Sequence, residues 1–381
     1  MTDAPLTGLR VVELARILAG PWIGQTLADL GAEVIKVESP QGDDTRRWGP
    51  PFIERPRPDG GSEQVSAYFQ SANRGKTSVT CDFRNPQDLE RLQALIDEAD
   101  VLIENFKVGG LAKYGLDYDS LAARHPRLIY ASVTGFGQTG PRASKPGYDF
   151  LIQGMSGIMD LTGEPDGAPQ KVGVAWIDIF TGLYGTIGIQ AALAERAVSG
   201  RGQHIDLSLF DTGLAVLANQ SANYLLGGLD PTRLGNAHPN IVPYEVFPAK
   251  DGHLIIACGN DTQFAALCRC LGQPELAEMS DFATNPARVG NRERLRPILA
   301  RATALETREA LIATFEEAGV PAGPINTVRE AVEDPQSHAR NMQINPEGIA
   351  GLRTPVAFSR SALHLDRAAP ALGTGRWHFK R

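Results

Sequence analysis

The feature that most constrains the fold is the alternation of short apolar strands with helices near the start of the chain. We predict strands from Leu9 to Leu14, Ala32 to Glu38, Thr77 to Phe83, Asp100 to Glu104 and Leu128 to Ser132, with helices from Pro21 to Leu30 and Pro86 to Ala99. Strands that alternate with helices usually form a parallel sheet covered on both faces. The pattern therefore predicts an α/β fold with a mainly parallel sheet.

The first turn imitates a dinucleotide-binding fingerprint without matching it. A glycine-containing turn follows the first strand, and Glu38 ends the second strand, where a ribose-binding acid would lie. The turn reads AGPWIG from Ala19 to Gly24, so bulky residues replace the glycine that lets a backbone approach a pyrophosphate. This departure argues against a nicotinamide or flavin cofactor.

Length and composition favour two domains. The chain has 381 residues, a length that exceeds the usual size of one domain, and 42% of them are hydrophobic. A β-hairpin is predicted from Tyr244 to Ala257, turning at Asp251-Gly252, and amphipathic helices follow from Asp261 to Leu271 and from Arg292 to Ala318. We predict a large domain over residues 1–228, a small α+β domain over 229–334, and a linker with a return to the large domain over 335–381.

Charge and cysteine usage exclude several kinds of partner. A net charge of −7 without a long Lys/Arg run argues against a nucleic-acid or membrane partner. The four cysteines lack the spacing of a disulfide framework or a zinc site, and no HExxH pattern occurs, so no metal is expected. The N-terminal residues show no basic and apolar leader pattern, and we expect a cytoplasmic protein.

Asp178 is the charged residue that most needs an explanation. It is the single carboxylate in the uncharged run VGVAWIDIFTGLYG, residues 172–185. Aspartate is a favoured helix N-cap, and a helix is predicted from Ile187 to Arg196. A carboxylate in apolar surroundings is also a candidate for a catalytic group with a shifted pKa. The residues alone leave these two interpretations open.

Eight collinear segments resemble the class III CoA-transferases, the CaiB/BaiF family that includes formyl-CoA transferase and α-methylacyl-CoA racemase. The segments are LAGPWIGQTLADLGAEVIKVESPQGDDTR, NRGKTSV, ADVLIENFKVGGLAKYGL, YASVTGFGQTGP, GYDFLIQGMSGIMDLTGEPDGAP, the run around Asp178, GRGQHIDLSLFD and GVPAGPIN. The resemblance covers almost the whole chain. It implies a Rossmann-like large domain, a smaller α+β domain and an interlocked homodimer in which the two chains pass through one another like linked rings.

The resemblance also implies site residues. Asp178 matches the nucleophile that forms aspartyl mixed-anhydride and aspartyl-CoA intermediates. With the helix N-terminus beside it, we expect this carboxylate to stay ionised. The positions that match CoA contacts are Arg16, Leu18, Ala19, Ala72, Lys76, Asn105, Phe106, Lys113 and Tyr114. Ser39 stands where family members often have arginine, so one contact to the adenine or a phosphate is in doubt.

Within the family, the residues favour CoA transfer over racemisation. The resemblance implies that the racemases of the family carry a GHD motif whose histidine removes the α-proton. This chain has Gly147-Tyr148-Asp149 at that position. Tyrosine is a poor base at neutral pH, with an ordinary pKa of about 10. Tyr148, Asp149, Gln138 and His238 are expected to support the reaction, and Arg46 and Arg47 are further candidates for a second carboxylate.

The substrates suggested by the resemblance are an acyl-CoA and a small carboxylic acid. GNAHP followed by IVPY, residues 235–244, resembles the branch that uses succinyl-CoA with dicarboxylates such as glutarate, itaconate, mesaconate or malate. CoA is then a substrate, and neither a metal nor a nicotinamide or flavin is expected. The alternatives are a 2-methylacyl-CoA racemase or epimerase, and a catalytically inactive acyl-CoA-binding protein.

Overall fold

The computed structural model describes residues 3–56 and 61–380, and these form two compact units. The first unit contains the chain up to Ile158, then Lys171–Gly227, and again the chain from Pro335 onward. The second unit contains Met159–Gln170 and Gly228–Asp334. The segment Met159–Gln170, expected in the large domain, therefore clusters with the second unit, and helix α6 (Ile158–Leu161) spans that boundary.

A six-stranded parallel sheet forms the centre of the first unit. Its strands are β1 (Arg10–Glu13), β2 (Glu33–Glu38), β5 (Thr77–Thr80), β6 (Val101–Glu104), β7 (Ile129–Thr134) and β8 (His204–Ser208). They lie in the order β5-β2-β1-β6-β7-β8, and every pair is parallel. This is the doubly wound Rossmann order, which reverses direction between β1 and β6. The predicted α/β fold with a parallel sheet is confirmed.

Helices cover both faces of this sheet. The helices of the first unit are α1 (Ala19–Asp29), α2 (Ala67–Asn73), α3 (Pro86–Asp97), α4 (Tyr118–Ala122), α5 (Asp149–Met155), α7 (Trp176–Ser199), α8 (Leu209–Ala215), α9 (Asn219–Gly227) and α15 (Pro335–Ala339). One buried cluster joins α1 and α7 to one face, and a second joins α3 and α4 to the other. Alternate strand residues such as Val11 and Val12 contribute to opposite clusters because side chains alternate along a strand.

Helix α7 is longer than predicted and lies in the core. It begins at Trp176, well before the expected start at Ile187, and ends at Ser199, followed by Gly200, whose φ of 75° suits a glycine C-cap. Gly182 lies so close to α1 that a Cβ there would come within 2.9 Å of the Cβ of Trp22. By length and composition alone α7 could cross a membrane, but Ile177 and Ile189 are fully buried in the first unit, and core helices satisfy the same criterion.

Smaller elements complete the first unit. An antiparallel hairpin, β3 (Phe52–Pro56) with β4 (Ser62–Ser66), was not predicted, and a short pair joins β12 (Gln343–Ile344) to β13 (Gly351–Leu352). The returning segment lies against the edge strand β5, where the Gly375 N–H donates to the carbonyl of Ser78 at 2.7 Å. Phe379 is buried in the cluster beneath α3. The segment from Gly375 to Phe379 is therefore integrated into this unit, with Phe379 in its core.

The second unit is an α+β structure. Its strands are β9 (Tyr244–Ala249), β10 (Gly252–Ala257) and β11 (Ala322–Pro324), and its helices are α10 (Asp261–Cys270), α11 (Asn285–Gly290), α12 (Arg292–Thr303), α13 (Arg308–Glu317) and α14 (Val328–Glu333). The predicted hairpin is present, but Ala249 pairs with Gly252, so the turn is Lys250-Asp251 and not Asp251-Gly252. Its core, which includes Phe247, Leu254 and Phe315, is separate from the two clusters of the first unit.

Candidate active site

The start of helix α7 is capped by a residue from another helix. Ala175, at the N-cap, offers no side-chain hydrogen bond. Instead, Oδ1 of Asp149 accepts hydrogen bonds from the backbone N–H groups of Ile177, at 2.8 Å, and Asp178, at 3.2 Å. Asp178 lies in the first turn of the helix, so the interpretation of Asp178 as the N-cap is wrong. Asp149 performs that function from the first residue of α5.

Gln153 holds Asp149 in place. Its Nε2 donates to Oδ2 of Asp149 at 2.6 Å, and its Oε1 accepts from the backbone N–H of Val172 at 2.9 Å. The Gln153 side chain is fully buried. It therefore fixes both the capping carboxylate and the segment leading into α7. No sequence pattern indicated Gln153, because an i,i+4 spacing such as that from Asp149 to Gln153 occurs on any helix.

The environment of Asp178 favours the protonated carboxyl group. The residue is 9% exposed, and within the described part of the chain its carboxylate accepts no hydrogen bond. Burial, together with the smaller effect of the nearby charge of Asp149, raises the pKa of Asp178 to about 7. The expectation that the helix N-terminus keeps Asp178 ionised is therefore not met, because burial outweighs the partial charge of the helix.

Asp178 lines a cavity of about 170 Å³ in the first unit. The walls come from residues 16–19 after β1, residues 105–108 after β6 and residues 133–135 at the end of β7, together with residues 143–148 and Leu209. This places the cavity at the carboxyl ends of the strands, at the point where the strand order reverses. Open α/β sheets bind their ligands at this point.

A larger cavity of about 680 Å³ shares Arg16 and Phe106 with the first. It is lined by residues that follow β2 and β5, including Ser39, Arg47 and the segment 81–84. Of the predicted CoA contacts, Arg16, Leu18, Ala19, Asn105, Phe106 and Tyr114 line one or both cavities. The ring of Phe106 stacks on Phe83 with 5.8 Å between centroids, and Tyr114 meets the edge of Phe83 at 5.1 Å.

The segment from Cys81 to Arg84 was not predicted to contribute to the site. Because it follows β5 directly, the position of β5 in the sheet could have indicated that this segment lines the larger cavity. Arg84 is exposed and pairs with Asp82 at 2.8 Å, which places a cation on the wall of the larger cavity.

Two predicted CoA contacts are wrong. Lys76 is fully buried, and its Nζ pairs with Oε2 of Glu13 at 2.8 Å and donates to Asn73 Oδ1 at 2.9 Å. Ala72 is also fully buried, on α2. Neither side chain reaches a cavity surface, because both belong to the packing between α1, α2 and the sheet. Lys113 is exposed and lies 4.8 Å from the ring centroid of Tyr114, outside the lining of both cavities.

The predicted supporting residues lie in different places. Tyr148 is 63% exposed and lines the cavity that contains Asp178. Gln138 lines a different cavity of about 320 Å³ beside Ser132 and His204, and its backbone N–H donates to Asp206. The structure therefore brings Tyr148 and Asp149 to Asp178, and it places Gln138 elsewhere.

His238 belongs to the second unit. Its Nδ1 accepts from the Asn240 N–H at 3.1 Å, and its ring lies 5.3 Å from that of Tyr244. Burial and the positive charge of Arg292 lower the pKa of His238. The neutral imidazole is therefore favoured, and a role for His238 with the substrate stays a prediction.

The two arginines considered for a second carboxylate differ in availability. Arg46 donates from Nε and Nη2 to the carboxylate of Glu38, both at 2.7 Å, and its guanidinium lies 3.7 Å from the ring centroid of Phe69. Arg47 is exposed, 3.6 Å from Asp44, and lines the larger cavity. Arg46 is thus part of the packing, and Arg47 is the one available to a ligand.

Tyr68 is a further residue near Asp178 that no sequence pattern indicated. Burial raises the pKa of Tyr68 to about 12, and the charges of Asp178, Asp149 and Asp43 act in the same direction. Its ring meets that of Trp48 edge-on, with 5.2 Å between centroids. The phenol therefore stays protonated at neutral pH.

Comparison with known proteins agrees with this geometry. The family described as CoA-transferase family III matches residues 6–376. A succinate–glutarate CoA-transferase of Agrobacterium fabrum is 53% identical over 98% of this chain and 95% of its own length, and a succinyl-CoA:glutarate CoA-transferase of Homo sapiens is 39% identical over 98% and 85%.

A solved structure agrees as well. The crystal structure of a CaiB/BaiF family protein from Brucella suis is 60% identical, with a TM-score of 0.87 over 98% of this chain and 97% of that one. Sequence, fold and the cavity at the strand ends all lead to one assignment. The chain belongs to CoA-transferase family III.

Proposed function

We propose that this protein transfers CoA from succinyl-CoA to a dicarboxylic acid of the glutarate type, with Asp178 as the nucleophile. The proposal rests on one observation: a buried carboxylate, which accepts no hydrogen bond from the described residues, lines the cavity at the strand ends of a family III CoA-transferase. The names of the relatives from Agrobacterium fabrum and Homo sapiens support the choice of substrates.

The proposed reaction proceeds through covalent intermediates on Asp178. The carboxylate attacks the thioester carbonyl of the donor, the C–S bond breaks, and an aspartyl mixed anhydride and CoA thiolate result. The thiolate then attacks the aspartyl carbonyl, and the donor acid leaves as its carboxylate while an aspartyl-CoA thioester forms. The acceptor carboxylate repeats these steps in reverse, so the thioester energy is conserved.

The surroundings of Asp178 suit both parts of this chemistry. An anion without hydrogen-bond donors is a better nucleophile than a solvated one, and burial limits the hydrolysis of the anhydride and thioester. A pKa of about 7 leaves a substantial ionised fraction at neutral pH. Asp149 fixes the first turn of α7, and Tyr148 lines the same cavity.

The two cavities offer a path for CoA. The aromatic rings of Phe83, Phe106 and Tyr114 provide surfaces for adenine or pantetheine, and Arg16, Arg47 and Arg84 provide cations for phosphates. We propose that CoA extends from the larger cavity past Arg16 and Phe106 to Asp178. Arg84 can supply the cation that Ser39 does not.

The test is a transfer assay combined with mass spectrometry. Wild-type protein incubated with succinyl-CoA and a panel of mono- and dicarboxylic acids should yield new CoA thioesters, with the glutarate product prominent. A peptide containing Asp178 should gain CoA as a thioester. Asp178→Asn should bind CoA without transfer or labelling, whereas Asp97→Asn, which changes an exposed carboxylate on α3, should behave as the wild type. Transfer at the wild-type rate by Asp178→Asn would refute the nucleophile.

We also propose an interlocked homodimer in the cytoplasm. Large apolar side chains are exposed on α7 and α9, among them Ile187 at 62% and Leu226 at 89%, and such surfaces often mark subunit interfaces. All four cysteines are free thiols, as is usual in a reducing compartment. Light scattering should give the mass of a dimer that resists dilution, and a monomer at micromolar concentration would contradict the assembly.

A further inference from the structure

Ile17 has a strained backbone at the wall of the small cavity. Its φ is 74°, in the left-handed region, and a β-branched residue is a true outlier there. The residue lies between β1 and α1 and lines the cavity that contains Asp178. Such strain persists only where the surrounding structure enforces it, and it concentrates at functional sites.

Asn105 holds the peptide groups immediately before Ile17. Its Oδ1 accepts from the Arg16 N–H at 3.0 Å, and its Nδ2 donates to the Arg16 carbonyl at 2.7 Å. The loop that presents Asn105 is itself fixed, because the Glu104 carboxylate accepts from the N–H of Phe106 at 2.7 Å. One amide side chain therefore binds both polar groups of a single backbone residue.

Asp43 holds the next amide along the chain. Its carboxylate accepts from the N–H of Ile17 at 3.2 Å and 3.3 Å. Asp43 is buried and is fixed by the N–H of Thr45 at 3.0 Å, the Thr45 hydroxyl at 2.8 Å and the Lys36 ammonium at 3.0 Å. Lys36 also donates to the carbonyl of Ala15 at 2.7 Å.

These contacts form a continuous clamp on the backbone. From the Ala15 carbonyl to the Ile17 N–H, four successive polar groups are bound by the side chains of Lys36, Asn105 and Asp43. The three side chains come from β2 and from the segments that follow β2 and β6, so the sheet edge itself imposes the conformation. Helix α1 begins two residues later, with Leu18 and Ala19 on the cavity wall.

We propose that Asn105 and Asp43 are positioning residues that hold Ile17 in its strained conformation and so place Leu18 and Ala19 against the acyl-CoA at Asp178. This inference rests on the proposed function. It also changes the role expected of Asn105 from a direct CoA contact to the support of the Arg16–Ala19 turn. Asn105 uses its carbonyl oxygen and one N–H in hydrogen bonds to the Arg16 backbone, so few of its polar groups remain for a ligand.

The kinetic test separates positioning from binding. In Asn105→Ala and Asp43→Asn, kcat should fall by about 10- to 100-fold, because small misplacements of reacting groups have effects of this size. The Kd of CoA, measured by calorimetry, should change by less than about threefold if neither side chain contacts CoA. Asn260→Ala, which removes an N-cap asparagine from α10 in the second unit, is the matched control and should keep the wild-type kcat.

A rescue experiment tests the strain itself. Glycine adopts a positive φ without a steric cost, so Ile17→Gly should restore much of the kcat lost in Asn105→Ala when the two changes are combined. Ile17→Gly alone measures the effect of losing the side chain. A crystal structure of Asn105→Ala should show Ile17 at a negative φ. The melting temperature of Asp43→Asn is to be compared with that of the wild type.

Three results would overturn the clamp. These are an unchanged kcat in both variants, a loss of CoA affinity equal to the loss of kcat/KM, or an Ile17 that stays at a positive φ when Asn105 is replaced. Failure of the proposed function has a different appearance, because the wild-type protein would then transfer no CoA. The crystal structure of Asn105→Ala would still decide whether the clamp exists.

Discussion

Replacing Asp178 by asparagine should stabilise the folded protein at alkaline pH. The side chain is buried and its carboxylate accepts no hydrogen bond within the described residues, so the ionised form is held in an unfavourable environment. Asparagine has nearly the same shape and cannot ionise. The hydrogen bonds that cap α7 come from Asp149 and stay in place. The substitution therefore removes a charge with little change in packing.

The size of the effect follows from the pKa of Asp178. Folding raises this pKa from 3.8 to about 7. At about 1.4 kcal/mol per pH unit, the ionised carboxylate destabilises the folded state by up to about 4 kcal/mol above pH 7. The sign follows because the folded state binds the proton more tightly, so the contribution of Asp178 to stability is greatest below pH 3.8 and is lost as the pH rises to about 7. Between pH 5.5 and pH 8 the loss is about 2 kcal/mol.

Calorimetry on the wild type and Asp178→Asn at these two pH values tests the calculation. The gap is the melting temperature of Asp178→Asn minus that of the wild type. This gap should be larger at pH 8 than at pH 5.5, by roughly 4 °C. Equal gaps at both pH values would show that the pKa of Asp178 is not raised. A wild type more stable than the variant at pH 8 would show that ionised Asp178 does not destabilise the folded protein.

Three further substitutions test other parts of the structure. Asp149→Asn should lower the pKa that governs the acidic limb of kcat/KM, because the charge of Asp149 helps to raise the pKa of Asp178, and an unmoved limb in the pH–rate profile would argue against this coupling. Burial raises the pKa of Glu104 to about 7, so the wild type should lose stability relative to Glu104→Gln as the pH rises from 6 to 8, and a constant difference in urea unfolding would contradict this. Lys76→Met should reduce the free energy of unfolding by about 3–5 kcal/mol, because the fully buried Glu13 loses a cation, and the affinity for CoA should stay unchanged. Weaker CoA binding in a fully stable variant would instead support the expectation that Lys76 contacts CoA.

The sheet was predictable because its strands are short apolar runs between clear helices. The predicted β2, from Ala32 to Glu38, differs from the observed strand by one residue. The hairpin of β3 and β4 was not predicted, since the segment from Phe52 to Ser66 is rich in proline, glycine and charge and shows no alternation. Regular local patterns identify helices and strands. The pairing of two irregular segments, such as β3 and β4, leaves no such pattern in the sequence.

The site was predictable where chemistry is local and not where it depends on distant partners. Asp178 was identified from its uncharged surroundings and from the family resemblance. Its cap, Asp149, is 29 positions away, so no local pattern reveals it. The resemblance placed Lys76 among the CoA contacts, and its actual partner, Glu13, lies 63 positions earlier, so no local pattern reveals the pair. A charged residue reveals its role only when its partner is known.

The return of the chain to the first unit has a consequence for its synthesis. Gly375 binds the edge of the sheet at β5, and Phe379 fills the core beneath α3, so the sheet face and edge stay open until these residues leave the ribosome. The second unit, which ends at Asp334, has all its residues earlier and can fold first. Until residues 375–379 are translated, the nascent chain exposes an unfinished apolar face and an unpaired strand, and chaperone demand should concentrate in that interval.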